Sequence, residues 1–326
     1  MTREAAVLVT GAGGDVGAVS PLIVEMMISK GYPVRAFVRR DDERADSLRR
    51  IGAEVFVGDL LDVADVSAAL AGCRRVYFSM SLSRYYSDAV MLMAAAARAR
   101  GDIEVFVNMS EYEQAVMTFD LMTAPLAQRR QALGTNVTQW SPQQRAHWVA
   151  EQVLDWSGLP VVNVRATVFV ENPLLSRFPM QSIVDDGELR LPFGTKRIAP
   201  IAGYDVAAVC ANILAEPSDH VAHSYALTGA HAIDMYQLAE DYAAVLGRPV
   251  AYASQDADDW IETHIRSTLY EVNPHAAEHL ITLVHMVADG FYENATGELE
   301  TLLGRPARTV RWALSTLMSP PPRELR

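Results

Sequence analysis

Residues 7–17 read Val-Leu-Val-Thr-Gly-Ala-Gly-Gly-Asp-Val-Gly and run straight into the apolar stretch 18–27. An apolar strand that turns through glycines into a helix constrains the fold more than any other feature of this chain. Glycine lets the backbone bend sharply and lie close to a ligand, and the first helical turn presents unpaired N–H groups that attract negative charge. The combination suits a pyrophosphate, and its natural setting is the first strand–helix crossover of a parallel sheet. Gly11, Gly14 and Gly17 have the spacing G-x-x-G-x-x-G, with Gly13 as an extra glycine. A G-x-G-x-x-G frame started at Gly11 fails because Val16 stands where its last glycine belongs. Gly11, Gly13, Gly14, Asp15, Val16 and Gly17 are therefore the expected phosphate loop.

The rest of the first half repeats the pattern. Strands are expected at 5–10, 33–38, 54–57, 75–79, 103–108 and 160–165, and helices at 16–30, 42–51, 63–70, 87–100 and 142–157, several of them closed by glycine. Such alternation implies a parallel sheet with right-handed crossovers. Residues 110–140 form an excursion longer than an ordinary connection, and 117–127 is expected to fold over a bound ligand. The fold class that follows is α/β: a Rossmann-type doubly wound parallel sheet over residues 1–165, then a smaller, mainly α C-terminal substrate lobe over 166–318. Residues 319–326, with three consecutive prolines, read as a flexible tail.

Charge and cysteines narrow the partners. A formal net charge of −12 argues against a nucleic-acid partner, which needs a basic face. Cys73 and Cys210 are too far apart to suggest a metal site or a disulfide framework, and both sit among apolar neighbours as small core residues would. No apolar run reaches membrane-spanning length, so a cytoplasmic protein without a membrane partner is expected.

The second strand ends in Val-Arg-Arg, about twenty residues after the last glycine of the loop. An acidic residue there would accept the ribose 2′-hydroxyl of NAD(H). Arg39 and Arg40 instead offer donors to a 2′-phosphate, which favours NADP(H), while Asp41 or Asp42 could take the acidic role one turn later. At the end of the third strand, Asp59 can accept from the adenine amine with Leu60 on the ring face; alternatively Asp59 caps the next helix.

Thr-Gly-x-x-Gly-x-x-Gly, Val-Arg-Arg and Gly-Asp-Leu together resemble the NmrA-like family of atypical short-chain dehydrogenases. Ala150-Glu151, Ser157-Gly158-Leu159-Pro160 and the passage from Val164 to Glu171-Asn172 are similar to that family's helix and strand ending in Glu-Asn, although Ala166 stands where many relatives have proline. The likeness covers roughly residues 4 to 253 and includes Leu227-Thr228-Gly229. It implies a cofactor lying across the sheet's C-terminal edge, with Ser79, Met80 and Asn108 flanking the ribose and nicotinamide. Short-chain dehydrogenases carry a serine, a tyrosine and a lysine four residues later. Ser110 fits the serine; placed against Glu151, the other two positions hold Gln143 and His147. Gln143 cannot give up a proton and leave an anion, so ordinary carbonyl reduction is not expected.

His147 is then a partner for ribose and nicotinamide or a proton donor, since imidazole titrates near neutrality; otherwise it is a satisfied buried histidine. Tyr112 and Glu111 are alternative acids, and Tyr85 and Tyr86 are candidates to line the pocket. The resemblance implies either an NADPH-dependent reductase of a planar, easily reduced acceptor such as a quinone or enone, or a non-catalytic NADP(H)-sensing regulator with a protein partner. A homo-oligomer would fit either. His275-Ala-Ala-Glu278-His279 matches a zinc-hydrolase pattern, H-x-x-E-H, but such an enzyme has no need of a dinucleotide fold.

Overall fold

The structure is a computed structural model that describes residues 5–12 and 18–318. Gly13, Gly14, Asp15, Val16 and Gly17 of the expected phosphate loop lie outside the described residues, as does the tail 319–326.

Period-two alternation in the strands builds two cores. In β1 (Ala6–Val9), Val7 and Val9 pack into one layer with α1 (Val19–Ser29), while Leu8 packs into the other. With both faces covered the strands read as continuous apolar runs, and each Val, Leu or Phe so buried is worth about 1.5–3 kcal/mol. β2 (Val34–Val38), α2 (Glu43–Arg50), β3 (Glu54–Val57), α3 (Val63–Leu70), β4 (Cys73–Phe78), α4 (Tyr86–Arg100) and β5 (Val105–Glu111) follow in strict alternation. Next come α5 (Phe119–Thr123), α6 (Leu126–Leu133), α7 (Pro142–Ser157) and β6 (Val161–Ala166).

Past β6 the chain forms α8 (Pro173–Ser176), α9 (Met180–Asp186), β7 (Glu188–Leu191), β8 (Arg197–Ile198), α10 (Gly203–Ala215), β9 (Ser224–Leu227), β10 (Ile233–Asp234), α11 (Met235–Leu246) and β11 (Ala251–Ser254). The remainder is helical: α12 (Ala257–Ile261), α13 (Ser267–Leu269), α14 (Pro274–Ala288), α15 (Glu298–Leu303) and α16 (Val310–Met318), with a π-helical turn at Glu262–Arg266. α8 and α9 are separate helices, the second starting after Pro179.

The main sheet has the order β3-β2-β1-β4-β5-β6-β9, parallel throughout. The order reverses between β1 and β4, and their diverging carboxyl ends open the crevice where such sheets take ligands. The second half of the chain does not stay in one lobe. β9 closes the sheet, and α10 and α15 pack on the same layer as α1. A third core joins α11 and α14 to Met117, Leu133 and Val137, so the excursion packs against the helical lobe. None of residues 117–127 borders the crevice; α14 covers it instead, through Asn273 and His279. Cys73 and Cys210 are free and buried, and burial pushes the Cys73 thiol up to about 11.

Candidate functional site

Gly11 follows β1 with φ +69, a left-handed conformation that favours glycine, and a Cβ there would lie 2.8 Å from the Ser79 carbonyl oxygen. Thr10 locks the two strand ends together, its Oγ1 donating to Ser79 O at 2.8 Å and accepting from Ser79 N at 2.9 Å. From this clasp the crevice runs in two directions.

One arm, a cavity of about 560 Å³, is bordered by Arg39, Arg40, Asp59, Leu60 and Tyr85. Arg39 and Arg40 are exposed and make no hydrogen bond or ion pair among the described residues. The neighbouring acids are already committed. Asp41 pairs with Arg49 at 2.6 Å, and Asp42 caps α2 by accepting from Arg44 N and Ala45 N while its other oxygen holds Arg44. Nor does Asp59 cap the next helix: Asp62 accepts from Ala64 N and Asp65 N in that role. Asp59 Oδ1 accepts only the turn amide of Leu61, at 2.9 Å, which leaves its carboxylate at the cavity edge beside Leu60.

The other arm, about 390 Å³, is bordered by Ser110, Glu111, Glu113, His147 and His279, with Met109, Val168 and Leu280 among its apolar walls. The arms share Gly11, Ser79, Met80 and Asn273, so one elongated ligand can occupy both. β5 carries Ser110 and Glu111 to the crevice. α7 carries His147, and its start is fixed by a capping box in which Ser141 Oγ accepts from Gln144 N and Gln144 Oε1 from Ser141 N. The same Ser141 hydroxyl lies 3.1 Å from His279 Nδ1 on α14. One short cap thus ties the sheet lobe to the helical lobe.

Glu111 Oε1 lies 3.4 Å from both His147 Nε2 and His279 Nε2. Burial, reinforced by Glu113 and Glu151, raises the Glu111 carboxyl well above the usual carboxylate range. Burial and then a nearby histidine push His147 and His279 down to about 3. These directions agree: burial favours the neutral form of all three groups, which disfavours His147 as an imidazolium acid. Ser110 Oγ, Glu111 Oε2 and His147 Nδ1 are buried without a hydrogen-bond partner among the described residues. Glu113, by contrast, accepts from Tyr292 OH at 2.6 Å and Gln144 Nε2 at 3.3 Å.

Several expected residues lie elsewhere. Asn108 is buried on the sheet face and donates to Asn163 Oδ1 at 2.9 Å, because β5–β6 register sets the two side by side. Tyr112 turns away in a 3-10 turn after β5, and its ring packs against Phe291 and Tyr292 in the helical core. Tyr86 supports the site from behind, its ring 4.2 Å from that of His147. Gln143 Oε1 is taken by Ser83 N and by His275 Nε2 at 2.6 Å. His279 and Asn273 were missed as site residues. The only signal was the H-x-x-E-H run, and no cluster able to hold a metal ion exists among the described residues.

The site suits a dinucleotide: a backbone approach that favours glycine and, among the described residues, an unpaired arginine pair at one end and uncommitted buried polar groups at the other. A family model described as NAD(P)H-binding matches residues 11–217. The NAD(P)H azoreductase of Xenophilus azovorans is 26% identical over 305 residues, 93% of this chain and 94% of that protein. The NADPH-dependent quinone oxidoreductase of Escherichia coli, solved with NADPH, superposes with a TM-score of 0.72 at 22% identity, over 96% of this chain and all of that one. The negative transcriptional regulator NmrA, solved with NADP, gives a TM-score of 0.73 at 18% identity over 96% of this chain and 95% of its own. On the family match and the geometry together, the chain belongs to the NAD(P)H-binding family and has the fold of its NmrA-like members.

Proposed function

We infer that the protein is an NADPH-dependent reductase that passes hydride to a small planar acceptor, such as a quinone, an enone or an aromatic azo compound. The observation that carries this reading is the continuity of the crevice. It begins at two arginines without partners among the described residues, flanked by acids already engaged, and ends in a mainly apolar chamber. Arg39 and Arg40 suit a 2′-phosphate, Asp59 and Leu60 the adenine, and Gly11 with Ser79 the middle of the ligand. Bound there, the cofactor supplies the hydride.

The chain's own work is placement. Met80, Met109 and Leu280 offer flat apolar contact to a ring, and the walls from α14 exclude water while donor and acceptor are stacked. Gln143, in the position of the family's tyrosine, is occupied with Ser83 and His275 and cannot act as an acid. Likeness over nearly the full length of an azoreductase supports turnover. The alternative, an NADP(H)-sensing regulator that binds a protein partner, draws on the same missing tyrosine and on the shared fold of NmrA. Steady-state NADPH oxidation against a panel of quinones and azo dyes separates the two. Turnover with at least one acceptor class is expected; tight NADPH binding with no turnover on any would leave the regulator.

A further inference from the structure

We propose that Glu111 is the proton donor of the acceptor chamber, and that it equips the protein for acceptors, aromatic N=N bonds above all, whose reduced anion is too basic to form unprotonated. The proposal rests on the reductase reading and extends it to the second half of the reaction.

The geometry selects Glu111 from the groups around the chamber. Glu113 already accepts from Tyr292 and Gln144. Glu151 is held by Arg165, whose Nε and Nη2 reach its two oxygens at 3.1 and 2.6 Å. Tyr86 OH donates to Met109 O, and Tyr112 points into the helical core. His275 lies against Gln143. The Glu111 side chain is 15% exposed and borders the chamber, and among the described residues its Oε2 has no hydrogen-bond partner. His147 from α7 and His279 from α14, which border the same chamber, stand beside it, both at 3.4 Å. Ser141 Oγ lies 3.1 Å from His279 Nδ1, and in the tautomer where that hydroxyl donates, the ring hydrogen sits on Nε2, the nitrogen nearer Glu111.

The step balances without a further reactant. Hydride adds to one nitrogen of the azo bond and its π pair moves to the other nitrogen. That nitrogen takes the proton as the Glu111 O–H bond breaks, giving a hydrazo product and a carboxylate. His279 Nε2–H faces the new charge, and water restores the proton once product leaves. The need for a donor depends on the acceptor. Hydride on azobenzene leaves a strongly basic nitrogen anion, on a quinone a phenolate-like oxyanion that water protonates, and on a triphenylmethane cation a neutral molecule that needs no proton.

Glu111→Gln keeps size and shape, and kcat with azobenzene, 1,4-benzoquinone and the cation malachite green would be measured alongside NADPH affinity. General-acid loss should cut kcat for azobenzene about 100-fold, with a smaller loss for the quinone and at most about a twofold change for malachite green. NADPH affinity should stay within about twofold, as expected for a group that acts only on the acceptor. In the native protein the azobenzene rate should fall as pH rises through the raised titration of Glu111, and the variant should lack that limb. Equal loss on all three acceptors, or an unchanged azobenzene rate, would overturn the proposal. If the native protein reduces none of them, the reductase reading falls and this proposal with it.

Discussion

The two arms of the crevice are built in opposite ways. The arm proposed for adenosine consists of strand ends and exposed side chains: Arg39, Arg40 and Asp59 follow closely on β2 and β3 and make little contact with anything distant. The acceptor arm is assembled from β5, α7 and α14, and its polar groups are buried, coupled and shared with the scaffold. The difference separates affinity from stability. Substitutions in the first arm should change cofactor affinity and leave folding alone, whereas breaking a buried pair behind the second should cost stability, because a buried polar group without its partner keeps the cost of leaving water.

The most severe test of that contrast is Arg165→Met, which strands the buried Glu151 carboxylate behind His147. Removing one member of such a pair should cost about 3 kcal/mol or more in denaturant unfolding; a loss below about 0.5 kcal/mol, the size of an ordinary surface change, would erase the contrast. In the exposed arm, Arg39→Ala combined with Arg40→Ala should weaken NADPH roughly 30-fold, or about 2 kcal/mol, while NADH affinity and the melting temperature hardly move. Equal weakening of both cofactors would remove the arginines from 2′-phosphate recognition.

The last test is the acid response of the buried histidines. His147 and His279 lie near 3 in the folded protein against an ordinary 6.5, so below about pH 6.5 only the unfolded chain gains their protons. Their stabilisation is complete above that value and is lost as pH falls toward 3, at up to about 1.4 kcal/mol per histidine per pH unit. Protonation of Glu111 acts in the opposite direction, so the reading is the difference: between pH 7 and pH 5 urea midpoints should fall further for the native protein than for a variant carrying His147→Gln and His279→Gln. Parallel slopes would show that these rings are not held neutral.

Legibility in the sequence followed the range of the interactions. The helix expected over 142–157 has those ends in α7, because a capping box at Ser141 and Gln144 and a left-handed Gly158 are local signals. The arginine pair was legible for the same reason. Asn108 was misjudged because its partner, Asn163, is supplied by strand register. Tyr112 was misjudged because one 3-10 turn decides which core it enters. The excursion drew attention to 117–127 as a cover, yet α14 covers the crevice and its amphipathic pattern carries no hint of which surface it would meet.

By itself the sequence determined the alternating sheet, the glycine turn and the charge at the adenosine end, since each depends on residues a few positions apart whose conformational preferences act locally. Only the tertiary structure decided the acceptor end. Ser141 and His279 are 138 residues apart, yet their contact helps set His279 beside Glu111. Burial then turns an ordinary glutamate and two ordinary histidines into neutral partners. Desolvation is a property of everything packed around a group, and no local pattern of residues encodes it.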